Sequence, residues 1–246
     1  MKTFKKGFKL SKKSNKLILF LIFSLSFLLI VLPLPLAFLG VNPLIEKWGL
    51  ISTIIIAITI ISLIIDFKNH CLNSRIISLT IALGALTALL RIPFAPLPNV
   101  NPCTYLIICS GIAFGSHIGF FIGALTPLIS NFILGHGPWT PLQMYAWGLI
   151  GGLAGLLNFN SSKIFRWKLG FIGVIAGYFY GFIMNIWFWY SYLYPITLTT
   201  FIIAEIQGLP FDTLHAIGNF AFLTILGNKT LRVFSFFKEG KLPSRS

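Results

Sequence analysis

Apolar residues occupy this chain in long blocks, separated by short joints of basic, glycine-rich or proline-rich sequence. About eight blocks approach membrane length, since about 20 apolar helical residues cross a hydrocarbon core of about 30 Å. They are predicted at Leu17–Leu39, Trp48–Ile65, Ile76–Leu90, Tyr105–Ala113, Ile118–Leu134, Met144–Leu157, Leu169–Tyr190 and Phe211–Leu226. Tyr105–Ala113 is short and joins the next block through the tight turn Phe114-Gly115-Ser116-His117. A further piece, Leu198–Ile206, is too short to cross and is expected to cap one face as part of a loop.

Composition agrees with a bilayer as solvent. Hydrophobic residues make up 56% of the chain and charged residues 10%, against about 25% charged in a soluble domain. The fold class expected is an all-α integral membrane protein with no soluble domain of useful size.

Charge then orients it. An even number of crossings leaves both termini on one side. All but Lys47 and Arg91 of the 19 Lys and Arg fall on that side. Cytoplasmic loops carry such an excess, so both termini are expected in the cytoplasm of a prokaryotic cell, with the chain in its (inner) membrane. The net charge of +14 is accounted for by orientation and anionic headgroups, and no nucleic-acid partner is expected. The first block is longer than a signal peptide's apolar region and lacks a clear small-residue cleavage site, so an uncleaved anchor is expected. Cys71, Cys103 and Cys109 show no metal or disulfide spacing.

Small residues mark the packing. Gly111, Gly115, Gly119 and Gly123 recur every four residues, followed by Gly148, Gly152 and Gly155 and by Gly170, Gly173, Gly177 and Gly181. Each set is expected on one helix face, where close backbone approach drives association in lipid. The first two blocks are rich in Leu, Ile and Phe and nearly free of glycine. The chain therefore divides into a basic N-terminus with an accessory hairpin (1–70), a packed six-helix core (71–230) and a basic tail (231–246). Within the core, Ser78, Ala82, Ala85 and Ala88 form a smooth strip on the third block. It serves either internal packing or docking of another membrane subunit.

Candidate chemistry gathers at the outer ends of the core. Pro93, Pro96, Pro98 and Pro102 punctuate the joint after Arg91 and favour an extended, stiff strap that carries Asn99 and Asn101. Arg91 either snorkels to headgroups or faces an anionic ligand group. In the next outer joint, Gly135, Gly137, Pro138 and Pro141 hold His136, Trp139 and Gln143 on a rigid turn beside Asn131. Trp139 there is a pocket wall or an interfacial aromatic. The aromatic cluster Asn185–Tyr194 includes Trp189 and lies at the same level. Asp212, His215 and Asn219 share one helix face by spacing; they mark a function, with helix capping by Asp212 as the competing role. Together with Trp147, these residues outline an outward-opening site for a neutral or zwitterionic organic ligand. Neither a metal site nor a catalytic constellation is expected.

The run Ala82–Asn101, Gly111-x3-Gly115, Gly119-x3-Gly123, Ser130-Asn131, Gly137-Pro138-Trp139-Thr140-Pro141 and Trp147-Gly148 resembles the substrate-specific S components of energy-coupling factor (ECF) transporters, over residues 74–227. The resemblance implies a six-helix membrane fold with a loop closing an outward pocket, and an alanine-rich strip docking onto a membrane coupling subunit. The alanines here are spaced by three rather than the family's usual four. It implies capture of a vitamin-like solute followed by toppling of the bound subunit, driven by ATP at two cytoplasmic ATPases, with no cofactor on this chain. The Gly-Pro-Trp-Thr-Pro turn is most similar to a branch associated with cobalamin or related precursors.

Two other functions compete. A proton-coupled secondary transporter would relay protons through Asp212, Glu205 or His215, but neither broken midplane helices nor an inverted repeat is evident. A membrane enzyme would need paired acids, a His cluster or an activated nucleophile. The chain has only five acidic residues and no such signature, so no enzyme is expected.

Overall fold

The computed structural model describes residues 74–157 and 165–239 continuously, with isolated positions between 24 and 64. The blocks 17–39 and 48–65, and with them most of the expected hairpin, lie outside the described residues, as do 240–246. Among the described residues the protein is all-helical, with no strand. The helices are α1 (Ser74–Arg91), α2 (Cys103–Phe114), α3 (Ser116–Leu134), α4 (Thr140–Leu156), α5 (Arg166–Tyr192), α6 (Leu198–Phe222) and α7 (Asn228–Glu239). A π-helical turn, Leu223–Gly227, joins the last two. Among the described residues, four helices are long and apolar enough to cross a membrane: α1, α3, α5 and the continuous stretch Leu198–Lys238.

Burial explains why α2 is short. Almost every one of its side chains is buried, so it is an interior helix of the bundle. By contrast, only 28% of α1 is buried, which makes α1 a peripheral helix packed mainly on α3. The chain reverses between α2 and α3 at Gly115, whose φ of 98° is open to glycine at little cost. The first glycine series therefore does not line one helix: it splits across this turn. Gly111 and Gly119 nevertheless both face the Gly151 carbonyl of α4, and a Cβ at Gly151 would in turn meet the Gly119 backbone. Three backbones thus approach closely at one level.

Three further expectations are corrected. The stretch Leu198–Ile206 is not a loop cap but the opening of α6, so the last span starts well before Phe211 and runs on through α7. Its start is a capping box: Thr197 Oγ1 accepts from the Thr200 N–H at 3.2 Å, and Thr200 Oγ1 accepts from the Thr197 N–H at 3.1 Å. With Thr instead of Glu or Gln at the third position the box is inconspicuous in sequence, and Pro210, which α6 absorbs in its interior, reads as a break. As a result Asp212 is in mid-helix and caps nothing. Finally, the proline strap is a chain of tight turns rather than an extended segment. Ala95 N–H donates to the Ile92 carbonyl at 3.1 Å, and Leu97 N–H to the Phe94 carbonyl at 2.9 Å.

The segment beyond residue 230, expected as tail, stays helical to Glu239. Phe234 packs on Phe114 with centroids 5.2 Å apart, and Lys238 Nζ donates to the Ala113 carbonyl at 2.9 Å. That places the ends of α2 and α7 together, at the opposite pole from Arg91.

Candidate substrate pocket

The pole carrying Arg91 holds a cavity of about 630 Å³ between α5, α6, the proline strap and the turn before α4. Trp139, Tyr180, Trp187, Phe188, Tyr192 and Phe211 supply its aromatic walls, and Asn99, Asn185 and Asp212 its polar groups. Trp139 is 38% exposed, with its ring folded over Gly137, where a Cβ would strike it. Asn99 stands at a φ of 57° and donates from Nδ2 to the Phe211 carbonyl at 3.0 Å, tying the strap to α6. Such a lining, mostly apolar with a few placed polar groups, suits a small organic molecule.

Asn185 is the hub of the polar wall. Its Nδ2 donates to Asp212 Oδ2 at 2.9 Å and to Glu205 Oε2 at 3.3 Å. Space for this trio comes from two glycines: a Cβ at Gly181 would overlap the Asp212 carboxylate, and one at Gly208 the Asn185 amide. Asp212 is only 7% exposed.

Beneath the strap is a second, smaller cavity of about 260 Å³, lined by Arg91, Asn99, Asn101 and apolar neighbours. Arg91 faces inward there. Its Nη1 donates to Ser130 Oγ and to Asn131 Oδ1, both at 2.8 Å, and its guanidinium lies 4.8 Å from the Trp147 ring centroid. Asn131 in turn donates to Thr140 Oγ1 and Gln143 Oε1, each at 2.9 Å. Trp147 stacks on Tyr180 at 4.4 Å and donates from Nε1 to Thr104 Oγ1 at 3.0 Å. Thr104 Oγ1 also shares a hydrogen bond with His215 Nε2 at 2.8 Å. One connected polar chain thus runs from the α3–α4 turn to the middle of α6. Asn101 accepts from the Cys103 N–H at 3.3 Å and fixes the start of α2.

The sequence-derived site residues therefore separate into groups. Asn99, Trp139, Asn185 and Asp212 line the large cavity. Arg91 and Asn101 line the smaller one, and Asn131, Gln143, Trp147 and His215 form the supporting network below. His136 is exposed against Phe132. Trp189 is buried and donates to Thr200 Oγ1 at 3.0 Å, and Asn219 is buried, donating to the Gly173 carbonyl at 3.3 Å; neither lines a cavity. On α1, Ser78 and Ala82 are exposed and Ala85 half-buried, whereas Ala88 is fully buried and points into the bundle. Trp187, Phe188 and Tyr192 of the aromatic cluster line the large cavity, as do Tyr180, Met184 and Gly208, which the sequence does not mark by type. The spacing of four and three from Tyr180 through Met184 to Trp187 is the signal that marks Tyr180 and Met184. Thr104 and Glu205 owe their roles to contacts between helices.

Fold and pocket together define a membrane-embedded helical protein that holds an organic solute-sized cavity at one pole. A family model described as ECF transporter, substrate-specific component, matches residues 75–227, and the chain belongs to that family. Its members are transporter subunits rather than enzymes. None of the curated proteins and none of the solved structures compared with the chain matches it.

Proposed function

We propose that this chain is the substrate-binding subunit of an ATP-driven ECF importer, and that the aromatic cavity captures a small organic micronutrient from outside the cell. The carrying observation is that this cavity, walled by Trp139, Tyr180 and Phe211 and floored by Asn185 and Asp212, lies in a chain of this family. In this reading both termini are cytoplasmic in a prokaryotic cell membrane. The six helices of 71–230 form the core, and the hairpin of 1–70 is an accessory to it. The strap and the Trp139 turn close over the bound solute. The exposed part of the α1 strip, Ser78, Ala82 and Ala85, docks on the coupling subunit, and two partner ATPases hydrolyse the ATP. Arg91, Asn101, Asn131, Gln143, Trp147 and His215 support the pocket floor.

The Gly-Pro-Trp-Thr-Pro turn suggests cobalamin or a precursor as cargo.

Purification of the full chain in mild detergent, followed by native mass spectrometry, tests the proposal. A retained small molecule that is lost in Trp139→Ala is the expected result. Uptake into liposomes by a proton gradient, with no ATPase present, would establish a secondary transporter instead.

A further inference from the structure

Both amide hydrogens of Asn185 are committed, one to Asp212 and one to Glu205. The polar wall of the large cavity therefore presents acceptors: the Asp212 carboxylate and the Asn185 carbonyl oxygen. Glu205 stands directly behind, and its Oε1 is buried with no hydrogen-bond partner. Among the described residues neither carboxylate is paired with a Lys or Arg. Arg91 is spent on Ser130, Asn131 and the Trp147 ring and lines the other cavity. Two carboxylates held in a mostly apolar setting without a counter-charge are costly. The rings of Trp139, Tyr180 and Phe211 line the same cavity, and aromatic π faces attract cations.

Resting on the pocket reading above, we propose that the ligand is an aromatic or heteroaromatic base whose cationic nitrogen docks as hydrogen-bond donor on Asp212, with the Asn185 carbonyl oxygen completing the acceptor wall and Glu205 adding negative charge behind it. The ring is held against Trp139. Gly181 and Gly208 keep this wall free of side chains that would displace the carboxylate or the amide. The site selects against carboxylated analogues of the same ring, because an anion there would meet the Asp212 carboxylate with the Glu205 carboxylate behind it.

Three probes that share one ring and differ in charge test this: tryptamine (cation), tryptophol (neutral) and indole-3-acetate (anion). Each is titrated against the purified full chain in nanodiscs, cleared of retained ligand, by microcalorimetry. The expected order is tryptamine over tryptophol over indole-3-acetate, with about tenfold between cation and neutral probe, the scale of one hydrogen bond to a charged group. Asp212→Asn removes that preference while tryptophol binding persists, and Trp139→Ala weakens all three alike. Equal binding of the three, or preference for the anion, overturns the charge assignment and leaves the pocket standing. No binding of any probe, or binding unaffected by Trp139→Ala, overturns the pocket reading and this inference with it.

Discussion

Asn185 of α5 donates to Asp212 of α6 across 2.9 Å, at the one level of the seam where Gly181 and Gly208 flank the pair with no side chain of their own. The polar wall of the cavity thus depends on absent atoms as much as on present ones. Gly181→Ala puts a methyl group on the Asp212 carboxylate. The expected outcome is loss of the retained small molecule in native mass spectrometry, with a destabilisation of about 1–3 kcal/mol from overpacking, read by thermal unfolding in detergent.

Arg91, the last residue of α1, is tied to α3 through two hydrogen bonds from one Nη1 and to Trp147 through the ring face. Lysine keeps the charge but lacks the planar guanidinium that lies over the ring. Arg91→Lys should therefore destabilise by about 1–2 kcal/mol, nearly as much as Arg91→Ala. Denaturation midpoints of the two variants check this. A lysine variant indistinguishable from the parent would show that charge alone suffices.

Trp147→Phe separates stacking from hydrogen bonding. The ring still covers Tyr180 and Arg91, but Thr104 loses its donor. A cost of about 1 kcal/mol is expected. Thr104→Val on the Trp147→Phe background should add little through that bond, a double-mutant cycle that reports the coupling directly.

Gly151 touches two other backbones, at Gly111 and Gly119. No rotamer change relieves a Cβ placed against a carbonyl. Gly151→Ala should therefore lower the yield of folded protein more than any other substitution named here, with at least about 3 kcal/mol lost, measured by size-exclusion profile and unfolding.

Asn219 joins α6 to the Gly173 carbonyl away from either cavity. Asn219→Ala is expected to reduce stability by about 1 kcal/mol while ligand affinity stays within twofold, measured by thermal unfolding and calorimetry on one preparation. A selective loss of affinity would move Asn219 into the pocket.

Much of this was legible before any coordinates. The helical character of the apolar blocks from Ile76 onward, the Gly115 reversal and the gathering of Trp139, Asn185 and Asp212 follow from hydropathy, glycine chemistry and loop composition. What escaped depends on partners from elsewhere in the chain. Pro210 looks like a terminator, yet in a packed membrane helix its missing N–H is tolerated, so α6 starts at Leu198. The strap's prolines are compatible with both extended and turned backbone, and the hydrogen bonds of Ala95 and Leu97 select turns. Ala88 shares a spacing with Ala82 and Ala85, but α1 turns it inward, because three residues advance the helix by less than a full turn. Trp189 and Asn219 look like site residues by type, and only their contacts with Thr200 and Gly173 identify them as ties between helices.

The bundle's two most extensively packed helix pairs are α3 with α4 and α5 with α6, and the large cavity opens between them. Trp139 stands at the start of α4, Asn185, Phe211 and Asp212 belong to α5 and α6, and the strap residue Asn99 is tied to the Phe211 carbonyl. At the far pole the two pairs are clasped by α2 against the π-turn and α7, through Phe114 on Phe234 and Lys238 on Ala113. An occupant touching both Trp139 and the Asn185–Asp212 pair spans α4, α5 and α6 at that pole, so the loaded carrier is braced at the cavity by its cargo as well as by its own side chains.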